Sequence, residues 1–545
     1  MTRDGLTRSS VLAATGLALA IRLYLLSRPG YLTGLTEYDD GVYLGGAVSL
    51  LSGLPPYHDF AFVQPPGILL LMAPVALVAK AVSVTAAMAT ARLLTVAASA
   101  ACVTLTGVLL RHRGPVVTTV ACGLLAVYPD DIMAAHTLLL EPWMNLLVLA
   151  GSCVAFRAGR LAPPRPLLCA GLLFGLAAAV KYWAAVPAAA LLVGCLFQVD
   201  GSRAGRFRAA GWFAAGTAAG FALPVLPFAL SGPGGFFRAT LLDQASRAGS
   251  GVPEPLRLAH LTGLAALLTD AGRLSVTGRA TSLIARGDVT AAATWATSWL
   301  PVLAAVVLAG VLGLGWLASW RRDGTRHATA SGTTAGAAAR SEPLRWYALG
   351  TLGATLAAVL GYSAFFYHYA DFPAPWLAVT AGYAFGWVSA TRATRRALAA
   401  AAVALTAAAC LQACQLSGLR APATSADTAL IAPGRCLVTD EVSLAIAAGR
   451  FSAGLADCPD VLDSLAVTLV ASDGISVQGG AASLARVTAA WKAILSRARY
   501  AWLSGASARR IPWTPGLRAW FARTFQPLQP PPGRTSEGQV YLRRG

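Results

Sequence analysis

A helical bundle that crosses a membrane many times, followed by a small α/β domain, is the fold that this sequence predicts. Of its 545 residues, 56% are hydrophobic and only 12% are charged, whereas soluble proteins carry roughly 25% charged residues. So few polar groups cannot cover a water-soluble body, and lipid must therefore be the solvent of much of the chain. Apolar runs predict about eleven membrane-spanning helices, at residues 10–27, 92–110, 115–129, 138–156, 167–181, 183–198, 209–230, 298–318, 345–365, 374–390 and 397–415.

The distribution of basic residues predicts the orientation of these helices. The net charge is +19, and the arginines concentrate in short loops between the apolar runs, as the positive-inside rule describes. The rule is satisfied if an uncleaved first helix begins in the cytoplasm and if the stretch 65–83 does not cross the membrane. The loops 28–91 and 231–297 and the chain after residue 415 then lie outside the cell membrane. No nucleic-acid-binding motif accompanies the charge, so no nucleic-acid partner is predicted.

A change in composition near residue 419 divides the chain into a transmembrane domain (1–418) and an extracytoplasmic domain (419–545). Cys436 and Cys458 in the second domain form either a disulfide or two unpaired buried thiols. The polar, low-complexity segment 323–341 is predicted to be a disordered cytoplasmic loop. Alternating runs predict an α/β fold for the second domain, with strands at 435–439, 466–471, 500–503 and 539–542 and helices at 443–450, 481–498 and 515–525.

Two adjacent carboxylates, Asp39 and Asp40, follow the first predicted helix. Such charges repel each other and are poorly solvated near a membrane, so they persist where they bind a cation or act as a base. The alternative is a solvated loop in which Asp40 caps a helix from Val42 to Leu51. The charge pattern alone leaves both interpretations open.

Aromatic and polar side chains recur in two other segments of the predicted outer face. The first segment offers polar groups at the level of the lipid headgroups, and the second offers ligands for a lipid phosphate or a sugar. The alternative for both is an aromatic belt at the membrane interface. The first segment contains Tyr57, His58, Asp59 and Gln64, and the second contains Tyr367, His368 and Tyr369.

Three ionisable residues lie at the predicted outer ends of apolar helices. Glu141 is an intramembrane carboxylate, which indicates a functional site unless it only pairs with a buried base. Arg92 and Lys181 are the candidate bases. They could instead hold a phosphate, Arg92 through a bidentate fork and Lys181 as a point charge, or extend to the interface.

In combination, these motifs resemble the C-type membrane glycosyltransferases, with family 39 as the nearest group. That family contains the protein O-mannosyltransferases and the lipid A aminoarabinose transferases. The resemblance covers about residues 10–415. It rests on the acidic pair with Gly41 and Tyr43, Tyr57-His58-Asp59-Phe60, Gln64-Pro65-Pro66-Gly67, Arg92-Leu93-Leu94, Leu140-Glu141-Pro142, Gly175-Leu176-Ala177 with Lys181, and Tyr367-His368-Tyr369.

The resemblance implies a polyprenyl-phosphate sugar donor, an outward-facing active site and inversion at the anomeric carbon. The acceptor would be a glycan, lipid or protein of the cell envelope. Asp39 would be the general base that deprotonates the acceptor hydroxyl, with Asp40 standing where many relatives carry Glu. Glu141 would orient the acceptor or help Asp39 to bind a divalent cation, which only some relatives need.

The sequence departs from the aminoarabinose branch at one phosphate-binding position. Those relatives carry Lys before the Pro-Pro pair, where this chain carries Gln64. The departure removes one cation from the expected donor site. Arg92 and Lys181 are the candidates that would compensate for it.

A membrane transporter or flippase for a lipid-linked or anionic substrate is the alternative class. Secondary transporters often contain repeated halves and place charged or broken helices near the bilayer midplane. Here no internal repeat is evident, and the acidic residues gather at one predicted face. These features favour the glycosyltransferase.

Overall fold

The chain folds into a large helical part followed by a small mixed domain. The computed structural model describes residues 2–197, 202–242, 244, 251–263, 265, 291–330, 342–388, 391–422, 424–471, 481–529 and 537–544. The described residues before 418 are helical apart from loops and one short hairpin, and those after it contain a four-stranded sheet. The predicted fold class is therefore confirmed.

The first part of the helical region contains ten α-helices among the described residues. A hairpin of β1 (Phe156–Arg157) and β2 (Arg160–Leu161) separates the seventh helix from the eighth. The helices are α1 (Arg3–Leu26), α2 (Tyr38–Leu51), α3 (Gly67–Ala81), α4 (Val84–Leu110), α5 (Pro115–Ala126), α6 (Pro129–Ala135), α7 (Leu140–Ala155), α8 (Pro164–Val180), α9 (Ala185–Phe197) and α10 (Arg203–Ser231).

The rest of the helical region corrects one sequence-based prediction. The helix Ala291–Ala330 continues into the segment 323–341, which was predicted to be a disordered loop, and residues 331–341 lie outside the described residues. The predicted outer loop 231–297 contains short helical elements, and much of it also lies outside the described residues. The other elements are Pro233–Phe236, the π-helical turn Phe237–Leu242, Glu254–Leu261, Pro343–Gly361, Ala374–Ala384 and Thr391–Ser417.

Several helices have the length and composition of membrane spans. Within the described residues, five qualify: Arg3–Leu26, Val84–Arg113, Arg203–Ser231, Pro301–Arg322 and Arg392–Ser417. Together, α5 and α6 form a sixth candidate that is bent by 56° where Pro129 begins α6. The apolar helices α3, α7, α8 and Tyr182–Phe197 are shorter. The membrane character of the chain is confirmed, while the count of eleven spans and the orientation stay predictions.

A buried ion pair connects three helices in the core of the helical part. Arg22 of α1 is fully buried and pairs with Asp131 of α6. Ser99 of α4 accepts a hydrogen bond from Arg22 at 2.8 Å and donates one to Asp131 at 2.9 Å. Since a buried charge without a partner is strongly destabilising, this network fixes how α1, α4 and α6 pack.

The small domain is built on a four-stranded sheet. Strands β3 (Leu437–Thr439) and β4 (Tyr500–Leu503) are parallel, whereas β5 (Phe525–Pro527) and β6 (Gln539–Arg543) join antiparallel, in the order β3-β4-β6-β5. Buried Trp491 packs in the core beneath the sheet. The helices of this domain are Ser425–Thr428, Val442–Ala447, Ser464–Ala471, Ala481–Arg497, Ser507–Arg510 and Pro515–Thr524.

The structure confirms part of the predicted secondary structure of this domain and corrects the rest. Residues 466–471, predicted to be a strand, belong to the helix Ser464–Ala471 because the Asp463 carboxylate accepts the amide of Ala466 at 3.0 Å and caps it. The last predicted helix ends at Thr524, and Phe525 begins a strand that the sequence did not reveal. Cys436 and Cys458 form a disulfide, as the first alternative stated.

Candidate active site

The acidic motif begins a helix that is not a membrane span. Helix α2 starts at Tyr38, whose amide donates to the Glu37 carboxylate at 3.1 Å. The prediction that Asp40 caps a helix from Val42 is therefore wrong, since the helix starts four residues earlier with Glu37 as its cap. Asp39 lies half-buried in the first turn, where a carboxylate is stabilised by the helix dipole.

Asp39 and Asp40 have different surroundings. The Tyr43 hydroxyl, one turn further along α2, donates to Asp39 at 3.3 Å. Asp40 is fully buried and pairs with Arg92 at 2.6 Å, and it also accepts a hydrogen bond from Thr137. Arg92 and Thr137 thus engage the Asp40 carboxylate within the protein, and its predicted catalytic role stays a prediction.

Arg92 is committed to the same structural pair. Its guanidinium donates to Asp40, to the Tyr31 carbonyl at 2.7 Å and to the Gly34 carbonyl at 2.9 Å. The side chain is buried, so a phosphate would have to displace these partners. In this structure Arg92 holds the loop before α2 against α4, and its role in binding a donor phosphate stays a prediction.

A second buried cluster joins α7, the end of α8 and the segment after Pro343–Gly361. Glu141 is fully buried and accepts hydrogen bonds from both Lys181 and His368, the latter at 2.9 Å. The Lys181 ammonium also lies 4.5 Å from the ring centre of Trp183 and 4.4 Å from that of Tyr369. Lys181 and His368 are thus placed side by side by one carboxylate, with aromatic rings around the lysine.

The carboxylates of Asp39 on α2 and Glu141 on α7 both act electrostatically on Tyr43. Burial, and then the negative charges of Asp39 and Glu141, raise the pKa of the Tyr43 hydroxyl well above its usual value. Asp39 and Tyr43 on α2 therefore lie within electrostatic range of the cluster formed by Glu141, Lys181, His368 and Tyr369. These six residues were predicted to be site residues from the sequence.

Glu37 belongs to the same site, although it was not among the predicted site residues. Its carboxylate accepts a hydrogen bond from the Tyr367 hydroxyl at 3.2 Å. The site therefore also contains Tyr367, which was among the predicted residues. Burial and the charge of Asp39 raise the pKa of Glu37, while His368 lowers it. Its position two residues before Asp39, in the same acidic motif, was the available signal.

The segment before the Pro-Pro pair lies beside this site and not in it. The Tyr57 hydroxyl donates to the carbonyl of Gln64 at 2.6 Å, so both residues stabilise their own loop. His58 and Asp59 pair with each other at 3.0 Å, and 62% of the His58 side chain is exposed. These contacts of the four residues are local to their loop, and their substrate-binding roles stay predictions. A Cβ at Gly67 would come within 2.4 Å of the Ala179 carbonyl, so the motif instead packs against the end of α8.

The small domain makes contacts with α2 that the sequence did not reveal. The Ser443 hydroxyl lies 2.9 Å from both Asp40 and the Tyr38 carbonyl, and it accepts the Gly41 amide at 3.1 Å. The Tyr38 hydroxyl donates to Asp463 at 3.0 Å. These bonds hold the helix that carries Asp39 from the side of the small domain.

Replacing Gly41 with alanine is expected to disturb this contact. An added Cβ would lie 2.3 to 2.6 Å from three atoms of Ser443, and overpacking of this kind costs about 1–3 kcal/mol. The expected result is a lower apparent unfolding temperature in detergent for Gly41→Ala than for the wild type. The matched control is Gly361→Ala, where a Cβ meets no atom within 4 Å; equal unfolding temperatures for the two variants would contradict the contact.

The divalent-cation site at Asp39 and Glu141 stays a prediction. One oxygen of Glu141 is already bonded to both Lys181 and His368. Throughout the part of the chain that the structure describes, no group of three or more His, Cys, Asp or Glu side chains is arranged to hold a metal ion.

Solved membrane glycosyltransferases share this fold. The archaeal oligosaccharyltransferase AglB from Archaeoglobus fulgidus, solved with an inhibitory peptide and a dolichol-phosphate, has a TM-score of 0.53 and 12% identity, covering 92% of this chain and 70% of that chain. ArnT from Cupriavidus metallidurans, bound to undecaprenyl phosphate, has a TM-score of 0.45 and 15% identity, covering 98% and 97%. No curated protein sequence matches the chain. The chain thus shares the fold of a membrane glycosyltransferase, and a match to a family model gives its class as a glycosyltransferase.

The family follows from the sequence match. The model of glycosyltransferase family 87 matches residues 62–341, which is more than half of the 545 residues. The chain therefore belongs to glycosyltransferase family 87. The class expected from the motifs is confirmed, and the finer assignment to family 39 stays a prediction. The matched range contains Glu141 and Lys181 but begins after Asp39.

Proposed function

We propose that this glycosyltransferase moves a sugar from a polyprenyl-phosphate donor to a hydroxyl of an extracytoplasmic acceptor, with inversion and with Asp39 as the general base. The observation that carries the proposal is a half-buried carboxylate, Asp39, on the same end of α2 that the Tyr367 hydroxyl bonds through Glu37, next to His368 and Lys181 on Glu141. Glycosyl transfer from a phosphate needs both parts, a base for the acceptor and positive charge for the leaving group.

In the proposed reaction, Asp39 takes the proton of the acceptor hydroxyl as its oxygen attacks the anomeric carbon. The bond from that carbon to the phosphate oxygen breaks, and the electron pair leaves with the lipid phosphate. Tyr43 orients the Asp39 carboxylate through its hydrogen bond. The neighbouring Glu37 stays protonated to a higher pH than an ordinary glutamate does, because burial and Asp39 raise its pKa.

Lys181 and His368 would stabilise the charge that develops on the departing phosphate. Glu141 fixes both donors through a single oxygen, and its other oxygen has no hydrogen-bond partner within the described residues. Trp183 and Tyr369 enclose the Lys181 ammonium. Such rings also offer flat apolar faces for the sugar or the first isoprene unit of the donor.

The proposal is tested by supplying the purified protein with sugar donors of different chemistry. In lipid nanodiscs, consumption of a pentosyl or hexosyl polyprenyl phosphate in the presence of membrane extract as acceptor would support it. Nucleotide sugars serve as the control, because the site as proposed binds a lipid phosphate. Consumption of nucleotide sugars alone would contradict the proposal, and the donor consumed would identify the sugar.

The proposed orientation makes a separate prediction about labelling. A cysteine at exposed Thr33, before α2, is expected to react with a membrane-impermeant maleimide in intact cells, whereas one at exposed Arg208, near the start of α10, reacts only after permeabilisation. The background would lack the free cysteines and keep the disulfide between Cys436 and Cys458. Labelling in the opposite order would invert the topology and place Asp39 in the cytoplasm.

A further inference from the structure

A pocket rich in arginine lies on the small domain, away from the proposed active site. Its volume is about 570 Å³, which falls in the range of roughly 300–1,000 Å³ common for small-ligand sites. We call it the arginine pocket. Five basic side chains line it: Arg497, Arg499, Arg523, Arg543 and Arg544.

Main-chain hydrogen bonds hold the segments that form the arginine pocket in place. The Arg543 amide donates to the Arg499 carbonyl at 3.0 Å, and the Arg544 amide donates to the Thr524 carbonyl at 2.8 Å. The Arg499 amide donates in turn to the carbonyl of Cys436, which is in the disulfide. The guanidinium groups therefore extend from a fixed frame and not from a loose tail.

The arginine pocket has few carboxylate partners, although four of its guanidinium groups donate to main-chain carbonyls. Among the described residues, one ion pair reaches these guanidinium groups, between Arg497 and Asp457 at 3.8 Å, with the Asp457 side chain fully exposed. Exposed Arg523 makes no hydrogen bond or ion pair with the described part of the chain. Five like charges around one pocket repel each other, and a bound anion relieves that repulsion.

The chemistry of the guanidinium group favours a phosphate over a simple halide or a single carboxylate. Its planar fork donates two parallel hydrogen bonds to phosphate oxygens, and several forks can satisfy one phosphate or a pair of them. We infer that the arginine pocket is a second binding site, which takes a ligand bearing one or more phosphate groups. The inference does not depend on the donor or the reaction proposed above.

The register of the sheet separates the arginine pocket from the proposed active site. Tyr500 pairs with Leu437 and Trp502 pairs with Thr439 in the parallel strands. Arg499 precedes β4, whereas Asp440 follows β3 at the other end, beside Ser443 and α2. A ligand in the arginine pocket therefore lies at the end of the small domain opposite the end that contacts α2.

The test compares matched variants of the full-length protein in uncharged phosphatidylcholine nanodiscs. Arg499→Gln with Arg523→Gln removes two pocket charges, and Arg518→Gln with Lys492→Gln removes two exposed charges of the same domain outside the pocket. Pyrophosphate binding is measured by calorimetry, and binding to phosphatidylglycerol vesicles by co-flotation. Losing two charge-assisted donors is expected to weaken pyrophosphate binding at least about tenfold, while the control changes it less than about twofold.

Unfolding temperatures establish that the variants are folded, and Arg499→Lys with Arg523→Lys keeps the charge while removing the fork. Pyrophosphate binding that weakens in both pocket variants, and not in the control, supports a soluble phosphate ligand. Vesicle binding alone with the same dependence supports a lipid headgroup as the source of the phosphate. The inference is overturned if neither probe binds, if the control weakens binding as much as the pocket variant, or if the lysine variant equals the wild type for both probes.

Discussion

Asp39→Asn is expected to reduce sugar transfer by a factor of about 10²–10⁴, the usual contribution of a positioned general base. Asparagine has nearly the same shape, so it keeps the first turn of α2 and can still meet the Tyr43 hydroxyl, but it cannot take the acceptor proton. The fold should be unaffected because Asp39 is only half-buried and its hydrogen bond from Tyr43 is a weak one of 3.3 Å. The measurement is the initial rate of product formation from a polyprenyl-phosphate sugar in nanodiscs.

The control for this variant is Asp59→Asn. Asp59 is an exposed carboxylate of the same predicted outer loop, and its partner is the exposed His58. Its loss should leave the rate within about twofold of the wild type, as expected for a surface pair worth less than about 1 kcal/mol. A wild-type rate for Asp39→Asn would rule out Asp39 as the general base, whatever the result for Asp59.

Arg92→Met is expected to have the largest effect on stability. The substitution leaves Asp40 fully buried without its cation, and breaking one side of a buried pair costs about 3–5 kcal/mol. It also frees the carbonyls of Tyr31 and Gly34, which Arg92 holds at 2.7 and 2.9 Å. The apparent unfolding temperature in detergent and the fraction of monodisperse protein would report the loss.

A double variant separates the charge from the packing. Arg92→Met combined with Asp40→Asn removes both charges and should recover part of the stability, because the uncompensated carboxylate is gone. A single variant as stable as the wild type would show that Asp40 has another cation or lies in water. If the double variant were no better than the single one, the lost carbonyl contacts would account for the whole effect.

The membrane fold was predictable because composition reports the solvent directly. A chain with 12% charged residues has few alternatives, and the apolar runs fall on the observed helices in most cases. Boundaries were less predictable, since α2 begins at Tyr38, four residues ahead of the expected start at Val42. In the small domain, a β-branched run at 466–471 indicated a strand, but a single side-chain cap from Asp463 made it helical.

About half of the residues predicted from the sequence gather in the candidate site. Glu141 and Lys181 stood out because charges inside apolar runs need a reason, and they pair as one of the open alternatives stated. Adjacent Asp39 and Asp40 looked equivalent, and only tertiary structure distinguishes them, since Arg92 reaches one and not the other. Contacts such as Ser443 with α2 join positions about 400 residues apart, and no local pattern encodes them.

That long separation has a consequence for how the protein matures. Ser443 lies 403 positions after Asp40, and ribosomes add roughly 5–20 residues per second, so α2 waits some tens of seconds for its last polar contacts. Until the final fifth of the chain is synthesised and has folded, the nascent enzyme lacks the hydrogen bonds that the small domain makes with α2. Truncated translation products would therefore insert into the bilayer without a finished reaction centre.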